Sequence, residues 1–144
     1  MGKKRIVKKT STITEEGKSV SHSSLPKKSI SSGVLHVESS YNNTKVVLSD
    51  TKGKVLCWSS SGSLGFTGAK KGTPFAAAKV GELLGEKAQA MGLREINVVI
   101  KGVGSGRESA VRGFISKSGV SINTIKDTTP VPFNGPRPPK PRRV

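Results

Sequence analysis

Lys101-Gly102-Val103-Gly104-Ser105-Gly106-Arg107-Glu108-Ser109 joins an apolar run, Ile96 to Ile100, to a helical pattern that begins near Arg107. A strand, a glycine-rich turn and a helix start together offer backbone N–H groups to an anion. The alternating Gly102, Gly104 and Gly106 carry no Cβ, so the backbone can approach a ligand closely there. Ser105 and Glu108 have the spacing of a capping box, and Arg107 adds a planar fork that suits phosphate. The spacing G-x-G-x-G fails the dinucleotide fingerprint G-x-G-x-x-G, and no G-K-S/T tripeptide follows. Glycine spacing alone favours an ordinary strand-to-helix turn. Charge shifts the balance.

Lys and Arg number 25 against 9 acids, a formal charge of +16. Such an excess opposes compaction and calls for a polyanion, nucleic acid or a charged membrane surface. The 144 residues suffice for one domain with a modest core. No apolar run is long enough to span a bilayer as a helix. A single cysteine, Cys57, forbids an internal disulfide, and with two histidines it gives no zinc-site spacing. No cofactor motif is found. The aromatics Tyr41, Trp58, Phe66, Phe75, Phe114 and Phe133 are too few for a series of base-stacking platforms. Phosphate contact should therefore dominate, with Trp58 open to stacking or to a rim position.

Working outward, the apolar run before the loop reads as a buried strand, parallel to a later one. After the loop, Arg107 to Ser118 forms a helix with Ala110, Val111, Phe114 and Ile115 facing inward. Gly119 caps it, and Val120 to Ile125 makes the last strand. Upstream, Thr73-Pro74 opens another helix as N-cap and N1, and Gly92 ends it. Its apolar stripe is Phe75, Ala76, Val80, Leu83, Leu84, Ala88 and Met91, with Gly81 and Gly85 one turn apart for close packing on the sheet. Ser59 to Gly72 is a Ser- and Gly-rich loop whose Lys70 and Lys71 can meet phosphates. Before it, Val34 to Ser40, Lys45 to Asp50 and Val55 to Ser59 read as strands joined by turns at Tyr41-Asn42-Asn43-Thr44 and Asp50-Thr51-Lys52-Gly53. His36 lies in the first strand, where a packed or hydrogen-bonded role is expected. The order is β-β-β-α-β-α-β.

The ends differ from this domain. Residues 1–32 contain Lys3, Lys4, Arg5, Lys8, Lys9, Lys18, Lys27 and Lys28 against Glu15 and Glu16, among Ser and Thr. They read as a disordered basic arm, with a cleaved targeting segment as the competing reading. Residues 33–127 form the globular α/β domain. Residues 128–144 are a Pro-rich basic tail with Arg137, Lys140, Arg142 and Arg143 on an extended path.

These segments resemble the small-subunit ribosomal protein family S-eleven from about Gly33 to Val144. The resemblance runs through Tyr41-Asn42-Asn43-Thr44, through Gly65-Phe66-Thr67-Gly68-Ala69-Lys70-Lys71-Gly72-Thr73, and through the glycine loop. It continues in Asp127-Thr128-Thr129-Pro130-Val131-Pro132, Asn134-Gly135 and Arg137-Pro138-Pro139-Lys140. It implies a mixed five-stranded sheet with flanking helices, ribonuclease-H-like in topology. It also implies binding to ribosomal RNA at the platform of the small subunit, near the exit-site path of messenger RNA. The S-seven, S-eighteen and S-six proteins are the implied neighbours.

By position, the resemblance places RNA contacts on Asn42, Asn43, Thr44, Gly68, Lys70, Lys71, Lys101, Gly102, Gly104, Gly106, Arg107 and Arg112. In the tail it places them on Thr128, Phe133, Asn134, Gly135, Arg137, Lys140, Arg142 and Arg143. The family usually has His and Cys where Phe133 and Pro136 stand, and often Pro at Ser105 and Lys at Pro141. The Ala69 to Thr73 run and Val111-Arg112-Gly113 lean toward mitochondrial members, with bacterial cytoplasm and plastid also compatible. Asn134-Gly135 is unhindered, and the resemblance makes its conversion to isoaspartate worth testing.

Three rival functions fit less well. A nuclease of ribonuclease-H-like fold needs clustered carboxylates for two metal ions, and Glu38, Asp50 and Asp127 are the strand-end candidates. A Ser/His hydrolase lacks an acid to orient either histidine. A DNA-compacting protein would explain the charge but neither the glycine loop nor the tail. The expected function is a structural, non-enzymatic constituent of the small ribosomal subunit.

Overall fold

The computed structural model describes residues 29–143. Most of the basic arm expected at 1–32 lies outside the described residues. The strands are β1 (Ser32–Ser39), β2 (Thr44–Asp50), β3 (Val55–Ser60), β4 (Glu95–Lys101) and β5 (Ser121–Asp127). The helices are α1 (Pro74–Ala90) and α2 (Arg107–Ser118), with a short 3₁₀ helix at Gly68–Gly72. They form the expected α/β architecture, with one mixed five-stranded sheet in the order β3-β2-β1-β4-β5. The first three strands pair antiparallel, and β4 and β5 continue the sheet parallel to β1. Ile30 packs on the core and donates its N–H to the Met91 carbonyl at 3.4 Å, so the folded part begins a few residues before Gly33.

Both helices lie on one face of the sheet. Leu35, Val37, Val46, Leu48, Ile96, Val98 and Ile100 alternate along their strands into one core with Val80, Leu84 and Phe114. Strand side chains project to opposite faces in turn, so the other face takes His36, Glu38, Lys45, Trp58 and Asn97, all exposed. The Ile96 to Ile100 run is therefore a half-buried strand and not a fully buried one: Asn97 is exposed and Val99 only half-buried.

Thr73 caps α1 as expected, its hydroxyl accepting from the Ala76 N–H, with Pro74 at the first helical position. Gly92 follows the C-cap Met91. The apolar stripe needs two corrections: Phe75 is exposed and meets Phe66 edge to face at 6.2 Å while Ala77 takes the inward position, and Leu83 is half-buried outside the core. Gly81 and Gly85 pack against α2 and not against the sheet. A methyl group at Gly81 would overlap the Ala110 carbonyl, one at Gly85 the Phe114 carbonyl, and one at Gly113 the Ala78 carbonyl. Three glycines thus let two helix backbones interlock over the sheet. Gly119 closes α2 with φ 61, its N–H bonded to the Ile115 carbonyl.

Candidate nucleic-acid interface

At the carboxyl ends of β1 and β4, three stretches far apart in sequence come together: the β1–β2 turn, the 3₁₀ helix and the glycine loop. Gly102 adopts φ 106, a conformation that disfavours any side chain, and its Cα lies against the Ser39 carbonyl. A methyl at Gly104 would overlap the Ser40 carbonyl, and one at Gly106 would strike Thr44 and Ala77. Gly72 likewise sits against the Tyr41 carbonyl. The Ser105 hydroxyl donates to the Gly72 carbonyl at 2.8 Å, which ties the glycine loop to the 3₁₀ helix.

These contacts correct the reading of the loop. Gly104 and Gly106 are buried, and the Gly104 N–H is spent on the Ser39 carbonyl at 2.9 Å. The backbone approaches the protein's own hairpin there, not a ligand. The capping box does not form: Gly106 is the N-cap without a side-chain bond, and Glu108 instead reaches Arg112 at 3.5 Å. Thr44 is also fully buried, its hydroxyl 3.2 Å from that of Ser39, so it shapes the turn and presents nothing outward. Asn42 is exposed at the tip, whereas Asn43 is half-buried with its Oδ1 lacking a partner among the described residues.

Arg107 is occupied too. Its guanidinium donates to the Gly102 carbonyl at 2.9 Å and pairs with the Asp127 carboxylate. The other oxygen of Asp127 accepts from the Thr129 hydroxyl at 2.6 Å and the Thr129 N–H at 2.9 Å. Thr129 Oγ1 in turn accepts from the Gly102 N–H at 3.2 Å, and the Thr128 N–H bonds the Ile100 carbonyl at 2.9 Å. The bonds to Thr129, hydroxyl first and then N–H, and the pairing with Arg107 lower the Asp127 pKa to about 2. The result is a clasp that fastens the start of the tail to the glycine loop. Sequence reasoning missed it, although an Asp at a strand end followed two residues later by Thr is a turn signal.

What faces outward is basic. Gly68, Lys70, Lys101 and Arg112 are exposed and Lys71 is half-buried. Lys70 and Lys71 stand in the 3₁₀ helix, so the long loop is ordered into short structure where an irregular one was expected. Beyond the clasp, the tail has no regular structure and is exposed from Pro130 to Arg143, including Phe133, Asn134, Gly135, Arg137, Lys140, Arg142 and Arg143. Asn134 has φ 51, the left-handed conformation that Asn tolerates. Trp58 is 58% exposed on the open sheet face, away from these loops.

The carboxylates weighed as metal ligands are dispersed. Glu38 pairs with Lys45 at 3.6 Å and Asp127 is held by the clasp. Asp50 lies at the opposite end of the sheet, across from Gly33, bonding the Thr51 N–H at 2.7 Å. His36 shares a 3.2 Å hydrogen bond with Ser49, as its strand position led us to expect. Burial pushes the Cys57 thiol up to about 11, against the lowering pull of Lys87.

The model of the family described as Ribosomal protein S11 matches residues 33–143. The chain belongs to the ribosomal protein S11 family. It is 49% identical over 128 residues to the small ribosomal subunit protein uS11 of Solibacter usitatus (strain Ellin6076), covering 89% of this chain and 94% of that protein. As a member of the S11 family it is a structural constituent of the small ribosomal subunit, and ribosomal RNA is the family's general partner. The matched span takes in the hairpin turn, the 3₁₀ helix, the glycine loop and the tail.

Proposed function

We propose that this S11-family chain binds ribosomal RNA through the end of its sheet where the β1–β2 turn, the 3₁₀ helix and the clasped tail meet, at the platform beside the messenger RNA exit path. The convergence of these elements on one edge, where Lys70, Lys71 and Lys101 supply the positive charge, carries the reading. Asn42, Gly68, Lys70, Lys71, Lys101 and Arg112 form the direct surface. The tail, from Phe133 through Arg143, extends along the RNA as a separate basic strip. Asn43, Thr44, Gly102, Gly104, Gly106, Arg107 and Thr128 act by positioning these groups. Recognition of paired RNA is by shape and backbone, since the A-form major groove is too narrow for side chains. The open sheet face beyond its Glu38–Lys45 end is left for protein neighbours of the S-seven, S-eighteen and S-six families.

The reading assigns no catalytic step. The bacterial relative supports a bacterial ribosome over the mitochondrial placement that the Ala69 to Thr73 run suggested. Gradient sedimentation of tagged protein, with RNA crosslinking of the particle fraction, tests both points. Co-migration with small subunits and crosslinks to platform RNA from the direct surface are expected. Crosslinks confined to RNA elsewhere on the subunit would reject the platform, and recovery only from an organelle would reject the bacterial placement.

A further inference from the structure

We propose that the notch between the β1–β2 turn and the glycine loop is a receptor for one unstacked nucleotide of the bound RNA, with guanine preferred; this rests on the RNA-binding reading above. The notch has a volume of about 280 Å³, and Glu38, Tyr41, Lys101, Val103 and Pro130 contribute its walls. It opens at the carboxyl ends of the parallel neighbours β1 and β4, the end of an α/β sheet at which ligands bind. Tyr41 is 79% exposed and Val103 is 57% exposed, beside the charged Glu38 and Lys101. A ring and two apolar side chains in such a place offer faces to a base taken out of its stack.

The notch is preformed. Its floor is the contact of Gly102 with Ser39, and its Pro130 wall follows Thr129, which the Asp127 clasp holds in place. Glu38 supplies the discrimination. Its carboxylate repels phosphate, and its exposed pairing with Lys45 contributes little stability. A carboxylate on an RNA-binding rim is useful toward donors, and guanine alone among the bases presents two adjacent N–H donors, N1–H and the N2 amino group, on one edge. Adenine, cytosine and uracil each offer a single donor position there. Lys45 and Lys101 flank Glu38 across the two neighbouring strands, where each can meet a phosphate on either side of the seated nucleotide.

The test uses the full chain and fluorescence anisotropy at fixed salt. The probes are RNA hairpins identical except for a one-nucleotide bulge of G, A, C or U, an unbulged hairpin, and its DNA counterpart. The G-bulged hairpin is expected to bind about tenfold tighter than the other bulges. Glu38→Gln should level the four bases while keeping bulged above unbulged RNA. Tyr41→Ala should lower affinity for all bulged hairpins by about fivefold or more and leave the unbulged one unchanged. Both side chains are largely exposed, so wild-type melting is expected, and the ordering of probes on the unsubstituted chain decides independently of either variant. Equal binding of bulged and unbulged RNA would overturn the notch while leaving the RNA reading intact. Bulge preference without base preference would overturn the guanine assignment, and equal affinity for RNA and DNA would overturn the RNA reading itself.

Discussion

An arginine beside a glycine loop reads as a phosphate ligand because its guanidinium is a planar bidentate donor. In the fold the same geometry serves Asp127 and the Gly102 carbonyl. This makes a discriminating prediction: Arg107→Lys, which keeps the charge but loses the fork, should free the tail, and Asp127→Asn should do the same. Faster tryptic cleavage after Lys126 in both variants, relative to wild type, checks it; a wild-type rate in Arg107→Lys would show that the guanidinium fork does not hold the tail. The clasp is also acid-sensitive. The folded pKa of Asp127, about 2, lies below the ordinary 3.8, so the clasp contributes fully above the ordinary value and is lost as pH falls from there toward 2. The amide resonance of Thr129 should titrate with a midpoint near 2 while the core amides do not. At Asn134, mass spectrometry with isoaspartate labelling of purified ribosomes should find conversion at Asn134-Gly135; unmodified Asn throughout would refute it.

At the scale of elements, the interlocked glycines of α1 and α2 set the stability of the helical layer. Gly81→Ala gains about 1 kcal/mol of helix propensity. Against that, the new methyl meets the Ala110 carbonyl, a backbone atom that cannot swing aside, and overpacking of this kind costs about 3 kcal/mol. The net expectation is a loss of about 2 kcal/mol and a melting temperature lower by several degrees, read by calorimetry. A variant as stable as wild type would mean that the helices separate freely. The helices themselves were legible from local signals, Thr73-Pro74 at one start and Gly92 and Gly119 at the ends. Which face each glycine packed against was not. Gly81 finds its neighbour at Ala110, and sequence spacing within one helix says only that a smooth face exists.

For the molecule as a whole, charge sets the binding law. Neutralising phosphates releases counterions, so affinity for structured ribosomal RNA should fall steeply with salt. Replacing Lys70 and Lys71 together by Ala should reduce the slope of log affinity against log salt by about 1.5, as titrations at several salt concentrations would reveal. An unchanged slope would remove the 3₁₀ helix from the interface. The replacements leave the fold intact, because no residue of that segment is fully buried.

The strands, the helices, their order and the basic character of both ends follow from the sequence, because alternation, caps and net charge are local or additive properties that need no knowledge of distant neighbours. The family blocks were legible for the same reason. The tertiary structure alone decided that both helices share one face, that Ile96 to Ile100 is buried on one side only, and that the loop glycines serve packing. It also decided that Arg107 holds the tail instead of facing out. In each case the deciding partner lies tens of residues away: Ser39 for Gly102, Ala110 for Gly81, Asp127 for Arg107. A donor or a bare Cα is satisfied by whatever the fold brings within a few ångströms, and that adjacency is a property of the sheet order, not of spacing along the chain.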